Sequence, residues 1–98
     1  MISRLYPMQE SSVRNIQILY FARVKEKLNY SIEPLSLPES IHTISDLKRL
    51  LAQRGESWSE IFSADKQIRA AVNHELVSDE YLIQDKDEVG FFPPVSGG

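Results

Sequence analysis

The pattern of apolar and polar residues predicts a strand near the start of the ordered chain. β-Branched and aromatic residues dominate residues 16–21, as is typical of strands. Neighbouring side chains in a strand point to opposite faces. The core face would therefore carry Ile16, Ile18 and Tyr20, and the other face would carry Gln17, Leu19 and Phe21.

Two further elements follow this strand. Residues 22–28 can form two helical turns, with Val24 and Leu28 on one face because they lie four residues apart. Residues 30–37 predict a second strand. Pro34 has no N–H to donate, so this strand should lie at a sheet edge or contain a bulge.

The clearest helical pattern covers residues 44–54. Its apolar stripe consists of Ile44, Leu47, Leu50 and Leu51. Thr43 or Ser45 can serve as the N-cap, and Asp46 would lie in the first turn, where the helix dipole favours a negative charge. Gly55 is the residue type most often found at C′, just after the end of a helix. Residues 58–62 predict a short helical turn that packs Trp58 and Phe62 in a structural role.

The second half of the chain predicts three short strands. Residues 68–73 form the first, with Ile68, Ala70 and Val72 inward, and a tight turn at residues 73–75 leads into Leu76 and Val77. A turn at residues 85–87 precedes the last strand, residues 88–92. The acidic residues around these turns are expected to be solvated. Pro93 and Pro94 should end the ladder, since neither donates a backbone hydrogen bond.

This order of elements indicates an α+β fold. It is consistent with a β-grasp (ubiquitin-like) arrangement, a mixed sheet of four to five strands packed on one main helix, and it leaves other small α+β folds open. We predict a flexible N-terminal extension at residues 1–13, one domain at residues 14–94, and an extended tail at residues 95–98.

Composition and charge narrow the function. The chain has 98 residues, no cysteine and a net charge of −3, so disulfides and thiolate chemistry are excluded and nucleic-acid binding is disfavoured. His42 and His74 lie far apart with no metal-site spacing, and we expect no metal site. No apolar stretch approaches the length that spans a bilayer, and no signal peptide is evident. We expect a cytoplasmic protein that binds no membrane.

The C-terminus is the candidate site. A flexible end without function is the simplest interpretation, since most chain ends fray. However, Pro93 and Pro94 stiffen the exit, and Gly97 and Gly98 let the main chain enter a narrow channel that excludes side chains. The free carboxylate of Gly98 could then be activated by a partner. Outward-facing apolar side chains could form an interaction patch beside this exit; the candidates are Phe21, Leu76 and Phe92.

The chain resembles a known family at these residues. The ending FFPPVSGG (residues 91–98), the opening segment LYFARVKE (residues 19–26) and AAVN (residues 70–73) are similar to the small subunit of molybdopterin synthase, the ubiquitin-like sulfur carriers often called MoaD. The likeness covers residues 15–98. The N-terminus departs from the family, whose members usually begin within a few residues of the first strand.

The resemblance implies a reaction cycle. An E1-like (MoeB-like) adenylyltransferase would use ATP to adenylate Gly98, and sulfur would replace AMP to give a thiocarboxylate. The tail, Pro94, Val95, Ser96, Gly97 and Gly98, would then enter the large synthase subunit (MoaE-like). There it would donate sulfur to cyclic pyranopterin monophosphate and form the molybdopterin dithiolene. In the family, two small subunits flank a dimer of large ones.

The resemblance also implies the roles of individual residues. Phe21, Leu76 and Phe92 would contact the partner, with the charge of Lys25 beside them. The chain would bind no cofactor and would not be an enzyme on its own. A carrier for thiamine synthesis or tRNA thiolation remains an alternative, as does a ubiquitin-like interaction module that carries no sulfur. The FFPPVSGG ending favours molybdopterin synthesis.

Overall fold

Five strands form one mixed sheet in the computed structural model, which describes residues 13–63 and 67–94. The strands are β1 (Arg14–Tyr20), β2 (Ile32–Leu37), β3 (Arg69–Val72), β4 (Glu75–Val77) and β5 (Glu88–Phe92). The helices are α1 (Ala22–Leu28), α2 (Ile44–Ala52) and α3 (Glu56–Phe62). The predicted extension, apart from Val13, and the tail at residues 95–98 lie outside the described residues.

The strand order confirms the β-grasp arrangement. Strands follow the order β2-β1-β5-β3-β4, with β1 and β5 parallel in the centre and the other neighbours antiparallel. β2 lies at an edge, as Pro34 predicted, and β5 ends at Phe92, immediately before the two prolines. The parallel central pair carries the last strand through the middle of the sheet, so the chain leaves the domain beside the end of β1.

The core lies between one face of the sheet and the helices. The predicted alternation of β1 is confirmed, and α1 buries Val24 and Leu28 as expected. The central strands contribute Ile16, Ile18, Tyr20, Val89 and Phe91, and α2 and α3 contribute Ile44, Leu47, Leu51 and Phe62. We call this the inner face of the sheet and the opposite side the outer face.

The sequence correctly predicted how α2 begins. Thr43 Oγ1 accepts a hydrogen bond from Asp46 N at 3.0 Å, and Asp46 Oδ2 accepts one from Thr43 N at 3.1 Å, which makes a capping box. Backbone hydrogen bonds from His42 and Thr43 lower the pKa of Asp46. The expected C′ role of Gly55 is wrong. α2 ends at Ala52, and Gly55, with φ of 151°, instead precedes α3, because a left-handed residue is needed where the chain turns from one helix into the next.

A polar link joins the β2 edge to the end of α2. Glu33 accepts a hydrogen bond from Tyr20 Oη at 2.8 Å and two from Arg54 at 2.8 and 2.7 Å. Burial acts to raise the pKa of Glu33, but the bonds from Arg54 and Tyr20 outweigh it and lower that pKa. Arg54 also lies 4.6 Å from the ring centroid of Trp58, which is half-buried as part of an aromatic cluster.

One acidic residue departs from the expectation of solvated turns. Asp87 is only 6% exposed. Its carboxylate accepts hydrogen bonds from Asn73 Nδ2 at 2.9 Å, Tyr81 Oη at 3.1 Å and Gln84 N at 2.8 Å. Only Asn73 is remote in sequence, 14 residues before Asp87, and the charge pattern of the turn does not reveal this contact. The network holds the β3–β4 turn against the start of β5.

Candidate functional site

The candidate site begins where the chain leaves β5. After Phe92, Pro93 is half-buried and Pro94 is exposed. Both line a groove of about 170 Å³ together with Arg23, Val24, Glu60, Ile61 and Ile68. The groove therefore lies between the two prolines, α1, α3 and the residue before β3. The residues that follow, Val95, Ser96, Gly97 and Gly98, lie outside the described part of the chain.

A continuous apolar row crosses the outer face next to this exit. Register pairs place five residues side by side, one from each strand: Ile32, Leu19, Gly90, Ala71 and Leu76. Ile32 at one edge is 48% exposed and Leu76 at the other is 59% exposed. None of the five carries a polar side chain.

A second apolar group lies nearer the exit. Phe21 directly follows β1 and its N–H donates to Phe91 O at 3.0 Å, so it continues alongside β5. Phe92 is on the outer face, as predicted, but it is half-buried, whereas Phe21 is 46% exposed. We define the outer apolar band as the apolar side chains of both groups; they are Leu19, Phe21, Ile32, Ala71, Leu76 and Phe92.

Gly90 allows the Phe21 ring to lie close against the sheet. A β-carbon placed on Gly90 would lie 2.8 Å from Cε2 of Phe21, closer than a β-carbon tolerates. The glycine gap in the middle of the row is thus filled by the aromatic ring. The band consequently stays continuous from β1 to β3.

The other half of the outer face carries mainly polar side chains. The next row away from the exit contains Pro34, Gln17 and Glu88. Beyond it, Ser36 Oγ donates to Asn15 Oδ1 at 2.6 Å. The outer apolar band is therefore confined to the half of the face from which the chain leaves the domain.

The structure brings together three residues that the sequence singled out, and it adds others. Phe21, Leu76 and Phe92 all belong to the outer apolar band. Lys25 is exposed on the first turn of α1, and its backbone N–H donates to Phe21 O at 3.3 Å. Sequence reasoning missed Ile32, although it is out of phase with Leu35 and Leu37, which face inward. It also missed Ala71 and Gly90.

Other kinds of site find no support among the described residues. Residues 13–63 and 67–94 contain no cluster of three or more side chains suited to hold a metal ion. Within the same ranges, no helix has the length and apolar character needed to cross a bilayer.

Comparison with known proteins agrees with this geometry. The ThiS family matches residues 18–98. The molybdopterin synthase sulfur carrier subunit of Escherichia coli strain K12 is 35% identical over 83 residues, which cover 85% of this chain and 99% of that protein.

Solved structures have the same fold. A putative molybdopterin converting factor subunit 1 from Pyrococcus furiosus superposes with a TM-score of 0.67 at 27% identity, covering 84% of this chain and 99% of that one. A chain from the protein–protein complex of subunit 1 and 2 of molybdopterin-converting factor from Helicobacter pylori 26695 superposes with a TM-score of 0.53 at 21% identity. The match covers 86% of this chain and 99% of that one. The chain belongs to the ThiS family, among the molybdopterin synthase sulfur carrier subunits.

Proposed function

We propose that this chain is the sulfur carrier subunit of a molybdopterin synthase and that Gly98 carries the sulfur as a C-terminal thiocarboxylate. The observation that carries the proposal is the position of the outer apolar band. It occupies only the half of the outer face from which the tail continues, so a partner that covers the band also meets the tail.

The size of the band fits one partner. Strands lie about 4.8 Å apart, so a row across five strands is about 19 Å wide. A standard interface covers about 800 Å² on each partner, which corresponds to an edge of about 28 Å. One protein can therefore cover the band and the exit together, and the four tail residues can reach at most about 14 Å into it.

The chemistry of the tail requires a second enzyme. A carboxylate is a poor electrophile, so it needs a leaving group before sulfur can attack. We propose that an E1-like (MoeB-like) adenylyltransferase transfers AMP from ATP to the Gly98 carboxylate and releases pyrophosphate. A sulfur donor then displaces AMP, which leaves the thiocarboxylate, a better nucleophile than the carboxylate.

We further propose that the charged chain docks on the large subunit (MoaE-like) through Phe21, Leu76 and Phe92, with Lys25 beside them. The Helicobacter pylori neighbour was solved as a complex of subunits 1 and 2, and this chain would take the place of subunit 1. Pro94 to Gly98 would enter the large subunit, where sulfur passes to cyclic pyranopterin monophosphate. The large subunit would supply the acid–base groups and the positioning of the precursor.

Reconstitution tests this function. The full chain, loaded with sulfur at its C-terminus, should convert cyclic pyranopterin monophosphate to the dithiolene product when mixed with the large subunit. The variant that lacks Gly98 should bind the large subunit but form no product, since the described core is built from residues between Ile16 and Phe91. Product formation by that variant would contradict the proposed role of Gly98.

A further inference from the structure

Three basic side chains surround the point at which the chain leaves the sheet. Arg69 on β3 is the register partner of Phe92. Arg23 on α1 lines the same groove as Pro93 and Pro94. Lys25 lies on the same helix turn, next to Phe21. We call Arg23, Lys25 and Arg69 the exit cations; all three are exposed.

The exit cations differ from most other lysines and arginines of the described chain. Ion pairs hold Lys27 to Glu60, Lys48 to Asp79, Arg49 to Asp46 and Arg54 to Glu33. Arg14 donates to the carbonyls of Ile83, Pro38 and Ile41. Within residues 13–63 and 67–94, the exit cations and Lys86 are the basic residues whose side chains have no such bond to another described residue. Three of these four lie at the exit.

The acidic residues nearby do not account for this arrangement. Glu60 lines the same groove as Arg23, but its carboxylate lies 2.6 Å from Lys27 Nζ. Glu26 follows Lys25 on α1 and is exposed. The whole chain has a net charge of −3, so the basic exit runs against its overall charge. Grouping cations that have no partner brings no gain in folding free energy, because like charges repel.

We infer that the exit cations are an electrostatic guide for docking, which pairs with carboxylates around the mouth of the channel that receives the tail. The inference rests on the proposed function, and it names the chemistry of the partner: an apolar docking face with an acidic rim at the tail channel. The outer apolar band would supply most of the affinity. The exit cations would orient the encounter so that the tail meets the channel.

Rim charges act mainly on the association rate constant, and salt screens their effect. A salt-dependent change in the association rate constant therefore distinguishes the electrostatic guide from apolar packing. The test uses the full chain and the large subunit of molybdopterin synthase from the same organism, mixed by stopped flow at several ionic strengths. The variants are Arg69→Glu, Arg69→Gln and Arg23→Glu. Lys86→Glu is the matched control, because Lys86 precedes the opposite end of β5.

The expected result is a graded loss that depends on charge. At low salt, Arg69→Glu and Arg23→Glu should each lower the association rate constant by about tenfold, and Arg69→Gln by about threefold. The losses should shrink as salt rises, and the dissociation rate constants should change less than twofold. Lys86→Glu should stay within about twofold of the wild type.

Two results would overturn the guide. One is an unchanged association rate constant in Arg69→Glu and Arg23→Glu. The other is an equal loss in Lys86→Glu, which would mean that net charge alone matters. Thermal unfolding of each variant checks that it is folded. If the wild-type chain does not bind the large subunit at all, the proposed function fails; if it binds normally and only the charge variants show no effect, the guide alone fails.

Discussion

The two faces of the sheet are both apolar near the end of β5, but for different reasons. On the inner face, Phe91 is fully buried, because the helices cover it. On the outer face, Leu76 and Ile32 are about half exposed, and no element of the described chain covers them. The inner-face residues are apolar because their burial stabilises the fold. Nothing in residues 13–63 and 67–94 explains the outer-face residues in this way, which supports the proposed contact with another molecule.

Substitutions on the two faces should differ most in their effect on the free energy of unfolding. Phe91→Ala should lower the free energy of unfolding by about 3–5 kcal/mol, because it leaves a cavity among Tyr20, Phe62 and the helices. Leu76→Ala on the outer face should cost less than about 1 kcal/mol. Urea unfolding followed by circular dichroism measures both. Similar losses in the two variants would show that the outer apolar band supports the fold.

Binding to the large synthase subunit should depend on the outer face. Leu76→Lys should weaken binding to the large synthase subunit by at least about 30-fold, because it places a charge in the docking face. Leu82→Lys is the matched control: Leu82 is also 59% exposed, but it lies in the loop between β4 and β5. Titration calorimetry compares them. Equal weakening by the control would mean that general surface polarity, not the outer apolar band, sets the affinity.

Ile32 tests how far the band reaches. Ile32→Lys should weaken the same complex by about tenfold, since it lies at the far edge of the apolar row. Val13→Lys serves as its control, because Val13 has a similar exposed fraction, 51% against 48%, and precedes β1 at the end remote from the exit. If Ile32→Lys binds as tightly as the wild type, the partner covers only the half of the band nearer β4.

The polar link predicts a dependence of stability on pH. The pKa of Glu33 in the folded chain is below its ordinary value of 4.5. Its contribution is therefore complete above that value and is lost as the pH falls toward the folded pKa. Glu33→Gln should lower stability at neutral pH by about 1 kcal/mol and flatten the loss of stability as the pH falls below 4.5.

Thermal unfolding as a function of pH measures this effect. Glu80→Gln is the control, because Glu80 is exposed and its side chain has no hydrogen bond or ion pair with a described residue. An unchanged pH profile in Glu33→Gln would show that Arg54 and Tyr20 do not stabilise the carboxylate. Binding to the large subunit should stay the same in both variants, since Glu33 lies on the inner side of β2.

The smallest expected effect concerns Gly90. Gly90→Ala should push the Phe21 ring off the sheet and weaken binding about threefold, with little change in stability, because a half-exposed ring can move at low cost. Nuclear magnetic resonance shifts of the Phe21 ring report the movement. Gly55→Ala should do the opposite, lowering stability through its φ of 151° and leaving binding intact. Unmoved Phe21 signals in Gly90→Ala would contradict the described packing.

Much of the fold followed from local patterns. The alternation in β1 and the capping box at Thr43 are local, so the sequence revealed both. Proline has no backbone N–H to donate, and this explains why Pro34 lies in an edge strand and why β5 ends before Pro93. The role of Gly55 was misassigned because a glycine between two helices suits either the end of one or the start of the next.

The candidate site was predicted only in part. Phe21 and Phe92 followed from strand alternation, but the row that joins them to Ile32 depends on the pairing of β1 with β2 and β5. Register between distant strands is set by the whole sheet and is not visible in any one segment. The burial of Asp87 depends likewise on the pairing of β3 with β5, which brings Asn73 beside it.

Sulfur on Gly98 should be visible in the intact mass of the full chain. After incubation with the activating enzyme, ATP and a sulfur donor, the mass should rise by about 16 Da, the change from oxygen to sulfur, and fragmentation should place the gain on Gly98. The variant without Gly98 serves as the control and should gain nothing. An unchanged mass of the full chain, in a reaction that loads a known carrier, would contradict the account.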